Sequence, residues 1–287
     1  MNKIFLKTVL SSALLISMPS YAGFGFSASV GSSDYDLTYS ASYDSGSTDG
    51  SAPETEEQVK GTSFIYTDLP LDYSVGAHQI GIKVGGLGNE SLPGNYTAEE
   101  TAGNFTEASD LERDEFSIFY TYRLDSGFTL TAGYYDSEVA SDYSSAPVGE
   151  GPWNGYSESL TIDNSGYFFG VAYGKSFTER LGGFVRAGYQ ISEVDLTLNG
   201  AETYDAPFDQ FDYDATGVAT VDGKATVLGA GLFYALGENM SVTLYYDLKS
   251  FSYDDYQFAF DDGYEPQGQS RFDEDQSTVG LTLRYSF

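Results

Sequence analysis

Few side chains in this chain carry reactive chemistry. It has 287 residues, one His, no Cys and 43 Asp and Glu against 13 Lys and Arg. The missing Cys removes disulfides, thiolate metal sites and thiol nucleophiles. General acid–base or nucleophilic catalysis would fall to His78. Its parity with Ile80 and Ile82, just after a turn expected at Leu69 to Ser74, points it outward near one rim of the fold, away from any carboxylate couple. The other chemical candidates are acidic runs: Asp254-Asp255, Asp261-Asp262, Glu265 and Asp273-Glu274-Asp275, with Glu99-Glu100, Glu107 and Asp110 upstream. Clustered oxygens hold Ca²⁺ or Mg²⁺, but none of these runs has EF-hand spacing. They predict at most millimolar divalent binding, with Asp261, Asp262, Asp273, Glu274 and Asp275 as candidate ligands. No cofactor is implied, and a formal net charge of −30 excludes nucleic acid as a partner.

The elements that position these groups are strands. The C-terminal segment Val279-Gly280-Leu281-Thr282-Leu283-Arg284-Tyr285-Ser286-Phe287 is large and apolar at every odd position and small, polar or charged at every even one. The same period of two recurs upstream: Met240 to Leu248, Leu228 to Leu236, Val185 to Ile191, Tyr167 to Tyr173, Phe128 to Tyr134, Phe116 to Tyr122, Ile80 to Val84 and Phe24 to Val30. Only a row near Phe64 and Tyr66 reads weakly. Ahead of the first row, Met1–Ala22 has Lys3 and Lys7, an apolar stretch from Val9 to Met18 and the small-x-small site Ser20-Tyr21-Ala22. That pattern predicts a secretory signal cleaved after Ala22, leaving 23–287 as one domain.

Connections between rows alternate in length. Leu124 to Gly127, Phe177 to Gly182 and Leu236 to Asn239 are tight turns. Asp44 to Gln58, Gly88 to Asp114, Asp136 to Glu158, Asn199 to Asp222 and Phe251 to Asp275 read as long polar loops holding most of the carboxylates. A terminal Phe287 with Tyr285 two places before it, the alternating rows and the export signal resemble Gram-negative outer-membrane barrels, in style the small OmpA-like or opacity-type proteins. The resemblance implies a closed antiparallel transmembrane β-barrel with short periplasmic turns and long extracellular loops. It also implies that the assembly machinery and periplasmic chaperones read Tyr285 and Phe287, and that outer-membrane lipid and lipopolysaccharide surround the barrel. Counting rows gives ten strands, with eight and twelve as the alternatives.

The opposite parity predicts the lumen. Lys83, Arg123, Arg186, Asp247, Lys249 and Arg284 face it, among Thr, Ser, Gly and Ala. Few of the inward positions read as acidic. That imbalance predicts a narrow, basic aqueous path for small polar solutes or ions, a porin-like channel. The alternative is a lumen plugged by bases paired with carboxylates, in a protein that serves adhesion or membrane structure through its surface loops. Omptin proteases are also ten-stranded surface barrels, but they use paired Asp and an Asp–His couple near the extracellular rim. With His78 at the other rim, no enzyme is expected.

Overall fold

A computed structural model describes residues 23–41, 55–87, 92–94, 105–147, 153–204, 212–261 and 270–287; the segment read as a signal, Met1–Ala22, and the candidate ligand Asp262 lie outside them. The described chain is strand throughout: β1 (Gly23–Ala41), β2 (Thr55–Val75), β3 (His78–Leu87), β4 (Leu92–Gly94), β5 (Phe105–Arg123), β6 (Phe128–Pro147), β7 (Trp153–Ser176), β8 (Leu181–Tyr204), β9 (Tyr213–Ala235), β10 (Met240–Tyr253), β11 (Ala259–Phe260) and β12 (Ser270–Ser286). Ten of these strands form an antiparallel ring in the order β1-β2-β3-β5-β6-β7-β8-β9-β10-β12. β12 returns to β1 from Gly25↔Ser286 to Ala41↔Ser270, and the Phe287 amide donates to the Phe24 carbonyl at 2.8 Å. β4 and β11 lie off the ring, on β5 and β9. Through the level of β3 closure leaves no unpaired edge, which is what hydrocarbon surroundings require of a sheet.

The four short connections and both ends of the ring lie at one rim. Gly76 (φ 58°) and Gly127 (φ 88°) supply the positive φ that two of these turns need. The first turn is Gly76-Ala77, not Leu69 to Ser74, which runs inside β2. Pro70 gave that stretch its turn-like look. It pairs with Lys83 of β3, while pairing to β1 lapses between Leu71 and Asp68, where its missing N–H costs no ladder bond.

Outside, Phe24, Ile80, Phe116, Leu130, Phe169, Val185, Leu232, Leu244 and Leu281 belong to a belt of exposed large apolar side chains that runs around the whole ring. Above it, the described parts of the stretches expected to be loops are largely strand. β7 and β8 have 24 residues each. At ~3.3 Å per residue each is ~80 Å long, whereas a span needs about 9–11 residues. The polarity of the two faces inverts along each strand. On β7 the outward Tyr167, Phe169 and Val171 give way to Asp163, while on β8 the inward Arg186 and Gln190 give way to Val194 and Leu196, both buried. Within the belt the medium outside is hydrocarbon; above it the medium is water, so the apolar face turns inward. The interior there is a core of Val139, Ile162, Val194, Leu196, Val221, Phe251, Tyr253 and Phe272, with Tyr256 and Phe258 folding in from the β10–β12 connection.

Candidate functional site: a lumen crossed by charge

Glycines on the inner wall make room for side chains from neighbouring strands. A Cβ at Gly81 would meet the Phe119 ring at 2.4 Å, at Gly133 the Phe168 ring at 2.6 Å, at Gly231 the Phe184 ring at 2.6 Å and at Gly280 the Tyr245 hydroxyl at 2.1 Å. Each aromatic therefore lies flat over its cross-strand glycine partner, so the glycines do not open the lumen as their small size suggested. Their space is filled.

The structure places Lys83, Arg123, Arg186, Asp247, Lys249 and Arg284 facing the lumen. They are joined there by Arg113, Asp68, Asp72, Glu115 and Glu274, so the inward charges are nearly balanced and the expected basic lining is not found. Near the short-turn rim, Arg284 Nη1 and Nη2 donate to the two Asp72 carboxylate oxygens at 2.5 and 2.8 Å. Gly25 leaves space for that fork: a Cβ there would lie 2.2 Å from Arg284 Nη2. Higher up, Arg186 Nε donates to Asp247 Oδ1 at 2.9 Å and Nη2 donates to Oδ2, both over Gly229. Such two-pronged guanidinium–carboxylate pairs fix direction as well as charge. Arg123 Nη2 donates to Gln79 Oε1 at 3.0 Å, and Lys83 faces Glu115 and Asp68.

A connected network crosses the lumen above these pairs. Tyr135 Oη donates to Asn164 Oδ1 at 2.8 Å, Asn164 Nδ2 donates to Tyr253 Oη at 3.2 Å, and Tyr253 Oη donates to Glu274. Glu274 also accepts from Arg113 Nη1 at 2.6 Å, Arg113 Nε donates to Glu115 Oε1 at 2.9 Å, and Lys249 Nζ donates to that same oxygen at 3.2 Å. Glu115 is on β5 and Lys249 on β10, five places apart around a ring of ten, the greatest separation such a ring allows. The pair is a strut from wall to wall. Arg113 and Glu274 are each about 1% exposed at the side chain. The Phe251 ring seals the strut, with Lys249 Nζ 4.5 Å and Arg113 5.0 Å from its centroid, and Tyr253 stacks on Phe272 at 3.8 Å.

The candidate divalent ligands do not converge. Alternation along β12 puts Glu274 in the lumen and Asp275 on the exposed face; Asp273 pairs with Arg271 at 3.2 Å, and Asp261 Oδ1 accepts the Thr216 amide at 3.0 Å. Among the described residues no three His, Cys, Asp or Glu side chains gather as a metal site. His78 opens β3 at the short-turn rim, exposed, with Nδ1 2.6 Å from the Tyr120 hydroxyl. Tyr285 and Phe287 stand outward with ring centroids 4.8 Å apart.

A ring of ten antiparallel strands with an apolar outer belt, short turns at one rim and a polar, charged lumen has the fold of the outer-membrane β-barrels. No family model matches the chain, and no curated protein does. Among solved structures it is similar to the outer-membrane protease OmpT of Escherichia coli, with a TM-score of 0.57 at 12% identity over 92% of this chain and 97% of that one. At that identity the likeness is one of fold. Two further outer-membrane barrels overlap more loosely. The Pseudomonas putida toluene transporter TodX has a TM-score of 0.37 at 12% identity, covering 92% of this chain and 89% of that one. The translocator domain of the autotransporter NalP from Neisseria meningitidis has 0.39 at 10%, covering 88% and 87%.

Proposed function

We propose that this chain is a closed-lumen barrel of the outer membrane that acts through its extracellular face, as a surface-interaction or structural protein, and neither conducts solutes nor catalyses. The observation that carries this reading is the Glu115–Lys249 strut with the Arg113–Glu274 pair beside it, beneath an aromatic core. Side chains held by both charge and packing close a path that small polar residues alone would leave open. Outside, the extension presents rows of carboxylates. In one, Asp114, Glu138, Asp163 and Asp195 stand side by side across β5 to β8. Burial and the adjacent Asp136 and Asp195 push the Asp163 carboxyl up from its ordinary value. The export signal cleaved after Ala22, contact with lipopolysaccharide, and recognition of Tyr285 and Phe287 by chaperones and the assembly machinery belong to the same proposal.

The test has two readouts. Proteoliposomes carrying the refolded chain should not swell in small sugars. Cells displaying it should lose adherence when Glu138, Asp163 and Asp195 are changed to Gln or Asn with folding intact. Sugar-dependent swelling or cleavage of peptides by the refolded chain would overturn the reading, and unchanged adherence of that variant would overturn its surface-interaction part, leaving the structural role.

A further inference from the structure

The lipid-facing belt is indented on the side of the ring that runs from β7 to β12. Between β7 and β12 the outer surface sinks into a groove of about 600 Å³, within the range of ~300–1,000 Å³ that single ligands fill. Its floor is low because Gly183 of β8 and Ala230 of β9 carry almost no side chain. Tyr173 and Phe177 wall it on one flank, Leu244 and Tyr246 on the other. Phe177 leans over Gly183: a Cβ added at Gly183 would meet its ring at 3.0 Å. At the end nearest the short turns the groove is bordered by Lys175, exposed and opposite Gly183 in the β7–β8 register. No described carboxylate forms an ion pair with Lys175.

We infer that this groove holds one acyl chain of an anionic phospholipid of the periplasmic leaflet, with the lipid phosphate on Lys175. The occupant follows from the two parts of the site taken together. An apolar trough opening into hydrocarbon needs an apolar filler, since empty volume forfeits dispersion contacts along its whole lining. A cation with no carboxylate partner at the short-turn rim, with Arg180 exposed in the β7–β8 turn beside it, sits at the level of the periplasmic headgroups and needs an anion there. Only 13 Lys and Arg occur in the sequence, and Arg113, Arg186, Lys249 and Arg284 are committed to lumen carboxylates, so Lys175 at the groove, with Arg180 in the turn beside it, gives this part of the lipid boundary a positive charge. A phospholipid supplies both the chain and the charge. A second copy of this chain is the rival occupant, and the test separates the two. The inference rests on the barrel and its orientation in the membrane and stands whether or not the lumen conducts.

The experiment is native mass spectrometry of the full chain released from bilayers of phosphatidylglycerol mixed with phosphatidylcholine, alongside Ala230→Phe, which fills the groove, and Lys175→Glu. Both changes lie on the lipid face, and heat-modifiable electrophoretic mobility verifies folding. The parent should retain one phosphatidylglycerol in preference to phosphatidylcholine. Ala230→Phe should lose it, and Lys175→Glu should weaken retention by about five-fold or more. Equal retention by folded Ala230→Phe, no headgroup preference, or a dimer that disappears in Ala230→Phe while lipid retention does not change would overturn the assignment.

Discussion

Truncating Glu274 to Ala removes the carboxylate that links Arg113 to Tyr253. Glu274 is buried, so the change removes one partner from a guanidinium 1% exposed and one from a Tyr hydroxyl, both out of reach of bulk water. Breaking a buried ion pair costs about 3–5 kcal/mol. Arg113 keeps Glu115 at 2.9 Å, which sets its share near the lower bound, about 3 kcal/mol. Tyr253 still accepts from Asn164 but loses Glu274 as an acceptor, adding about 1 kcal/mol. The expected loss is about 4 kcal/mol, a large part of the roughly 5–15 kcal/mol that holds a typical fold. The assay is urea unfolding in detergent micelles, followed by loss of heat-modifiable mobility. Glu274→Gln keeps an acceptor for both donors and should lose about half as much. Arg113→Leu with Glu274→Leu should cost less than Glu274→Ala alone, because both charges of the pair leave together and Glu115 keeps Lys249. A loss under about 1 kcal/mol for Glu274→Ala, or strictly additive single changes, would show that the lumen charges are solvated and the strut argument wrong.

Other expected outcomes follow from the same geometry. Gly229→Val puts a Cβ 2.0 Å from Asp247 Oδ1 and 2.8 Å from Arg186 Nε, and should cost about 1–3 kcal/mol in the same unfolding assay. Asp163→Asn should raise stability slightly at neutral pH. A carboxyl whose folded pKa is raised is penalised once ionised, so the penalty is present above that pKa and disappears as pH falls below it; parent and variant midpoints should differ at pH 7 and converge as the pH drops through the titration of Asp163. Phe287→Ala leaves the β1–β12 ladder intact but removes the terminal ring, and should lower the yield of folded barrel in cells more than the stability of the refolded protein.

The barrel was legible in the sequence wherever the medium on both sides was what a membrane span expects. Rows such as Val279 to Phe287 and Tyr167 to Tyr173 alternate apolar-out and polar-in, and their register in the structure follows that parity. Three physical circumstances hid the rest. Above the belt the outside is water, so Asp163, Asp195 and their neighbours alternate with buried Ile162, Val194 and Leu196 on the opposite parity, and carboxylate-rich strands resemble loops. Pro70 between two acids imitated a turn and concealed Asp72, the partner of Arg284. Arg113 and Glu274 fell inside stretches read as loops, and Glu115 lay at the edge of one, so the basic lumen looked unbalanced when its acids were a few residues beyond the rows. Extending each row's parity by two to four residues would have found Glu115 from Ser117 and Glu274 from Thr278 and Gln276. Sequence alone could not have shown that Lys249 reaches Glu115, because that contact depends on ring closure and links positions 134 residues apart.

The central claim is that charge and aromatic packing close the lumen, and planar-bilayer recording of the refolded full-length barrel tests it most directly. A closed lumen requires a silent bilayer from the unmodified chain, and also after Glu115 and Lys249 alone are truncated to Ala, because the aromatic core and the other ion pairs remain. Regular stepwise conductance from the unmodified chain would contradict it.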